Sequence, residues 1–275
     1  MKTFLRRLFE RPSAWIAISA VLILLVLGFC GGRIAPQDPY ALDTAVKYNP
    51  PDAQNWMGTD NLGRDIFSRV LAGTGLALQS AAVVLFSAAL IGLVIGCLAG
   101  YYGGVLDEIL MRVSDVFIAF PGLVLAMAIA AALGPSLTNA MIAISAVWWP
   151  GYARLVRAEV LSIKQRDYVI ASHAIGAGDL HILLRHIIPN IIVPLLVQMT
   201  NDVGPALVTS SSLSFIGMGA QPPSPEWGSM VSQGRNYILD YWWMSTFPGA
   251  AILVTVMAFN SLGEAIRRAY QVNEI

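Results

Sequence analysis

The stretch Val70–Leu106, VLAGTGLALQSAAVVLFSAALIGLVIGCLAGYYGGVL, holds no Asp, Glu, Lys or Arg. A helix on the surface of a soluble domain carries a polar face, and a helix through this stretch has none. In lipid, an apolar run of ~20 residues crosses as a helix, because only a helix satisfies its own backbone N–H and C=O groups there. Ser13–Gly32, Val116–Ala153 and Tyr241–Gly263 are equally bare of charge. The chain as a whole is 56% hydrophobic and only 12% charged, where a soluble domain has about 25% charged residues. The sequence therefore reads as an all-α integral membrane protein. Its net charge of zero offers no basic footprint for nucleic acid. Cys30 and Cys97 fall in separate apolar spans and read as small hydrophobes, not as a disulfide framework. There is no Ser/His/Asp set or HExxH motif, and no GxxxxGK[ST] phosphate loop, so neither an enzyme nor an ATPase is expected.

Lys2, Arg6, Arg7 and Arg11 precede the first apolar run. That run is long enough to cross and lacks a prompt small-residue cleavage pattern, so it is read as an uncleaved first helix over 14–32. Gly73 and Gly75 place the second crossing at about 77–101, and Gly134-Pro135-Ser136 divides the next run into helices near 114–133 and 138–156. A fifth crossing is expected near 188–212, with a partly re-entrant or interfacial tail to Gly219, and a sixth at 247–267. Basic residues are retained on the cytoplasmic side. With the N-terminus inside, the inner segments hold twelve of them (Lys2, Arg6, Arg7, Arg11, Arg112, Arg154, Arg157, Lys164, Arg166, Arg185, Arg267, Arg268) and the outer segments five (Arg33, Lys47, Arg64, Arg69, Arg235). Both termini are then cytoplasmic. The proline-bearing segments 33–75 and 217–246 lie outside.

The inner loop Arg154–Asn190 is basic and contains all three histidines, His173, His181 and His186. Asp167–Ile175 reads as a short helix with Asp167 as N-cap, ended by Gly176-Ala177-Gly178. Asp179 caps a second helix, Leu180–Ile188, stopped by Pro189-Asn190. A helix, a glycine turn and a helix make a compact knob at the membrane surface. His181 and His186, five apart, are not expected to share a helical face, and no metal site is expected among the histidines.

This loop resembles the signature loop of ATP-binding-cassette (ABC) importer permeases: Glu-Ala-Ala, three residues, Gly, nine residues, Ile-x-Leu-Pro. Ala171, Gly176 and Pro189 match, Ser172 replaces the second alanine, Ile170 stands where glutamate is usual, and His186-Ile187-Ile188 replaces Ile-x-Leu. Gly58-Thr59-Asp60-Asn61-Leu62-Gly63-Arg64-Asp65 and Leu213–Gly219 with Pro222–Gly228 resemble segments of the dipeptide, oligopeptide and nickel permeases, and of their second permease subunit in particular. Met111-Arg112, Phe120-Pro121 and Tyr152–Arg157 extend the likeness over nearly the whole chain.

The resemblance implies a multi-pass protein of the bacterial inner membrane with the type I ABC importer permease fold. It is divided into an inner N-terminus (1–13), a first helix (14–32), an external segment (33–75) and a core permease domain (76–275) with five crossings and a coupling loop, 157–187. The implied cargo is di- or oligopeptide, with nickel–chelate, glutathione or another small solute as the alternative. The implied partners are a second permease subunit, two ATPase subunits that bind the ATP and Mg, a periplasmic or lipid-anchored binding protein, and lipid. No cofactor is expected in this chain. Tyr168, Ala171, Ser172, His173, Gly176, Ala177 and Asp179 are the residues implied to meet the ATPase. A stand-alone secondary transporter is the rival class; absent internal repeats and scarce buried charge count against it.

Asp202, with Asn201, lies within the fifth span, where a charge is expensive. It reads either as a cavity-lining residue placed to meet a cargo's amino group or as a helix–helix hydrogen bond to Asn201 or Asn260. Asp60, Arg64, Asp65, Glu226 and Trp227 of the outer segments read either as binding-protein contacts or, for the alternating charges of Asp60, Arg64 and Asp65, as a local ion-pair network.

Overall fold

Helices with little polar surface can bury their small residues against one another and leave the large ones outward, and this is how the chain is arranged. The structure is a computed structural model that describes residues 12–271. Within them the protein is helical, with a single isolated bridge between Thr59 and Asp65 in place of strands. The expected N-terminal basic residues Lys2, Arg6, Arg7 and Arg11 lie outside the described residues. The helices are α1 (Pro12–Ile34), α2 (Ile66–Tyr102), α3 (Gly104–Ala119), α4 (Gly122–Leu133), α5 (Leu137–Ile163), α6 (Asp167–Ala174), α7 (Asp179–Ile182), α8 (Ile188–Ile216), α9 (Trp227–Gly234) and α10 (Trp243–Gln271). Four are long and apolar enough to cross a membrane: α1, α2, the run from Asp179 to Ile216, and α10. Counted together as one broken span, the bent pair α3–α4 makes a fifth.

The long helix outside that set is α5, whose second half carries Arg154, Arg157 and Glu159. It is packed into the bundle, with Ala140, Ala143, Ile144, Ala153, Val156 and Val160 fully buried. The stripe Gly92, Gly96 and Gly100 of α2 lets it in. A methyl group on Gly96 would stand 2.5 Å from the Ala153 carbonyl oxygen, and one on Gly100 would stand 3.0 Å from that of Arg157. Small residues at four-residue spacing permit such backbone approach between membrane helices.

Several boundaries differ from those expected. Helix α2 begins at Ile66, not near 77, because Gly73 and Gly75 are contact positions inside a helix: Gly73 meets the Trp227 indole and Gly75 the backbone of Gly28. The expected 114–133 helix is two helices at 91°. Pro121 clashes with a helical residue before it, and Phe120 is accordingly extended (φ −91°, ψ 146°). Helix α3 is held to α5 by Arg157 on Asp107 (2.5 Å) and Arg154 on Asp115 (2.5 Å). Helix α8 runs unbroken through Ser210-Ser211-Ser212 to Ile216, with no re-entrant tail, and ends at left-handed Gly217 (φ +94°). The hydroxyls of Thr209 and Ser212 donate to carbonyls one turn back, Pro205 (2.8 Å) and Val208 (2.7 Å), so these polar side chains need no outside partner.

Candidate functional site

The knob starts where α5 ends. Lys164 Nζ donates to the Gly100 carbonyl at 2.9 Å, tying the end of α5 to that of α2. Helix α6 follows, with Arg166 in the extended N-cap position and Asp167 already inside the first turn; the expected Asp167 cap is not made. Gly176 turns the chain in the left-handed region (φ +83°), which glycine enters without steric cost. The amides of Gly176 and Ala177 close the turn onto the carbonyls of His173 (2.9 Å) and Ser172 (3.1 Å). Asp179 likewise stands inside α7 and does not cap it. Its carboxylate instead accepts the Tyr101 hydroxyl at 2.9 Å, and that hydroxyl lies 3.1 Å from His173 Nε2. Tyr101, His173 and Asp179 thus bind the knob to α2.

Pro189-Asn190 does not stop the second helix. A π-turn over Leu183–Ile187 carries α7 directly into α8, with Pro189 the second residue of α8. The wider turn also brings residues five apart onto one face, so the His181 and His186 rings meet edge-on at 5.8 Å, against expectation. His186 Nε2 lies 3.4 Å from Ser172 Oγ. Among the described residues no group of three or more His, Cys, Asp or Glu side chains could hold a metal. Val169, Ile182, Leu183 and Ile187 are buried and root the knob, while Tyr168, Ile170, Ala171 and Leu184 are exposed. Its tip is the most exposed part, with Ile175 85% and Leu180 69% exposed. A cleft of about 510 Å³, lined by Tyr101, Tyr102, Lys164, Ile170, His173 and Asp179 among others, runs between the knob and the end of α2.

Asp202 stands at the midpoint of α8. Tyr152 of α5 donates its hydroxyl to Asp202 Oδ2 at 2.7 Å, and Gln198 Nε2, one turn earlier on α8, lies 3.0 Å and 3.1 Å from the two carboxylate oxygens. Neither expected partner is used. Asn201 packs on Gly263 and Asn260 on Gly204, at the seam between α8 and α10. Asn201 is thereby directed away from Asp202's surroundings, an open cavity of about 450 Å³ lined by Trp148, Gly151, Tyr152, Leu155, Gln198 and Asp202.

At the other end, the charges of the segments expected to lie outside turn inward. Arg64 pairs with Asp60 at 2.6 Å and Arg69 lies 3.8 Å from the same carboxylate, with both arginines almost fully buried. Arg69 donates to the carbonyls of Pro39 (2.8 Å), Pro223 (3.3 Å) and Ser224 (3.3 Å), and the Trp227 indole N–H to that of Val70 (3.0 Å). Asp65 caps α2 by accepting the Ser68 amide at 2.8 Å. Glu226 caps α9 by accepting those of Gly228 (3.1 Å) and Ser229 (2.8 Å). Burial pushes the Glu226 carboxyl above its ordinary range, outweighing those two amides. Asp60, Arg64, Asp65, Glu226 and Trp227 are each 6% exposed or less. That burial supports the network reading over direct contact with another protein.

Residues 92–271 match the family described as the binding-protein-dependent transport system inner membrane component. The chain belongs to this family. The permease is 48% identical over 251 residues to the probable D,D-dipeptide transport system permease protein of Escherichia coli, covering 91% of this chain and 84% of that one. It is 40% identical over 262 residues to a putative peptide transport system permease of Brucella suis (95% and 88% covered). It is 42% identical over 267 residues to the glutathione transport system permease protein GsiD of another Escherichia coli strain (97% and 88%). In fold the permease is similar to a crystal structure of an amino acid ABC transporter with histidines. The TM-score is 0.56 at 19% identity, over 73% of this chain and 93% of that one.

Sequence reasoning placed the permease's knob but missed three things in it and around it. Tyr101 lies far from the loop in sequence, and nothing local marks it. Tyr152 was noted only within a motif, and its pairing with Asp202 needs the α5–α8 contact. Gln198 was readable, since a residue four before Asp202 shares its helical face.

Proposed function

We propose that the chain is one of two permease subunits of an ABC importer that moves di- or oligopeptides across a bacterial inner membrane. Two separate ATPase subunits drive it, and a periplasmic or lipid-anchored binding protein supplies it. Six crossings are proposed, formed by α1, α2, the α3–α4 pair, α5, α8 and α10, with both termini cytoplasmic. Helix α5 crosses despite its charges because it is enclosed by other helices, and Arg154 and Arg157 meet carboxylates of α3.

The observation that carries this reading is the knob. An exposed apolar tip, Ile175 and Leu180, rises from a base of buried side chains, and an exposed apolar patch on a rigid support marks a docking surface. The ATPase grips this tip. Tyr168, Ala171, Ser172 and Gly176 lie on the gripped surface, and His173, Ala177 and Asp179 hold its shape. Ile170, where the family pattern has glutamate, makes that contact more apolar. Asp202 lines the path. The buried outer cluster supports a face on which exposed neighbours such as Trp56 and Leu239 meet the binding protein. The names of the similar permeases, for D,D-dipeptide, peptide and glutathione, favour a cargo with peptide bonds.

The test is reconstitution with the partner subunits and binding protein. The wild-type complex couples binding-protein-stimulated ATP hydrolysis to peptide uptake, and a Gly176→Leu variant inserts normally but loses both. Normal import and normal ATPase stimulation by that variant would remove the coupling assignment. A reporter near Lys164 reads cytoplasmic and one near Asp52 external; the reverse pattern would overturn the topology.

A further inference from the structure

The Asp202 cavity is chemically one-sided. Its carboxylate sits at the midpoint of a 29-residue helix, about 21 Å from either end at 1.5 Å per residue. The two side chains that hydrogen-bond to it, Tyr152 and Gln198, are neutral donors. Among the described residues no Lys or Arg lines the cavity, and the two arginines of α5 that follow are engaged elsewhere, Arg154 with Asp115 and Arg157 with Asp107. An ionisable side chain at such depth ordinarily has a charged partner. Here the carboxylate borders an open space of about 450 Å³. Half-buried Trp148 on the same wall adds an indole, whose face attracts cations.

We infer that the Asp202–Tyr152–Gln198 cluster, with Trp148, is a transit site for a primary ammonium group, and that it favours passage of cargo carrying a free amino terminus. This rests on the import reading above and extends it from a peptide path to a selective one. Tyr152 and Gln198 are positioning residues. Their donors hold the carboxylate toward the cavity and leave the remaining acceptor directions for the –NH₃⁺ group, which has three hydrogens to donate. The site is a way-station: one carboxylate and one ring attract the group without enclosing it, so the cargo can leave.

The binding protein also selects cargo, so the experiment compares ratios. Uptake of a dipeptide and of its des-amino analogue is measured with the reconstituted complex and one binding protein, first with wild type and then with Asp202→Asn. The receptor's own preference is common to both and cancels. The Asn side chain keeps the size and an acceptor for Tyr152 but loses the charge. The expected result is that preference for the free amine falls about tenfold, or about 1.4 kcal/mol, with uptake of the analogue nearly unchanged. Tyr152→Phe, which frees the carboxylate from one donor, lowers the preference less and carries the same test if Asp202→Asn fails to insert. An unchanged ratio in the inserted variants, or an equal loss of both cargoes, would overturn the site while leaving the import reading intact. No uptake of either cargo by the wild-type complex would instead overturn the import reading, and the site with it.

Discussion

Arg69→Met tests whether the segments before α2 and after α8, proposed to form the outer face, are held by one buried guanidinium. Arg69 is 1% exposed and joins two stretches far apart in sequence, through Pro39 on one side and Pro223 and Ser224 on the other. Methionine keeps much of the stem and none of the donors. The 2.8 Å bond to the Pro39 carbonyl is the largest loss, at about 1.5–3 kcal/mol for a charge-assisted hydrogen bond. The two 3.3 Å bonds add together about 1 kcal/mol at that length. Asp60 adds little, because it keeps Arg64 at 2.6 Å, and relief from burying a charge gives part of the loss back. The net cost is about 3 kcal/mol, more than a hundredfold in the ratio of closed to open outer segment. Protease accessibility of the 35–65 segment in nanodiscs, together with thermal unfolding of the same sample, reads this directly. Arg69→Lys restores one donor and recovers about half of the loss. If Arg69→Met is as protected and as heat-stable as wild type, the guanidinium does not hold the outer face together and the reasoning fails.

Other expectations follow from the same geometry. Gly96→Val forces a side chain into the Ala153 carbonyl and Val156 and costs at least about 2 kcal/mol by overpacking, seen as a lowered unfolding temperature. Gly122→Ala, whose new methyl would meet Val147 at an ordinary 3.6 Å, leaves that temperature unchanged. Glu226, raised above its ordinary 4.5 by burial, binds its proton more tightly folded than unfolded. Its contribution to stability is complete below pH 4.5 and is lost as pH rises through the raised value. Glu226→Gln flattens that part of the stability profile, and a variant with the wild-type slope would assign the slope to another group.

How far these features could be read beforehand depended on whether their cause was local. The charge-free runs placed the apolar helices, because the demand that lipid makes on the backbone is met within each segment. The Gly134-Pro135-Ser136 break and the left-handed turn at Gly176 were legible for the same reason: a proline or a positive φ announces itself in one or two residues. Gly73 and Gly75 misled, because a glycine that admits a neighbouring backbone looks the same in sequence as one that ends a helix. Pro121 was the converse, a bend present in the motif but unused, since Phe120-Pro121 sits inside a run apolar on both sides. The π-turn was beyond reach. Proline at 189 signals a helix boundary by its own chemistry, and only the packing of Ile182, Leu183 and Ile187 into the core keeps the chain helical through it. The candidate site divides in the same way. Asp202 was conspicuous as a charge in an apolar run, whereas its partner Tyr152 comes from another helix.

That π-turn changes what the knob can do. Had Pro189-Asn190 ended the second helix, the knob would hang from a hinge, and a push on its tip would be absorbed there. Instead Asp179–Ile216 is one helical run, and from Ile182 to Asp202 is about 30 Å of rod at 1.5 Å per residue. A protein that displaces Leu180 or Ile175 therefore moves a lever whose far part carries the Asp202 carboxylate. The other attachments of the knob, Lys164 to Gly100 and Tyr101 to Asp179, reach α2, which packs through its glycine stripe on α5, the helix that holds Tyr152. Tyr152 and Asp202 thus sit on two arms that leave the same knob and meet again in one 2.7 Å hydrogen bond. Any motion that rotates α8 against α5 must stretch or break that bond, so on the proposed reading the carboxylate that meets cargo also responds to displacement of the knob.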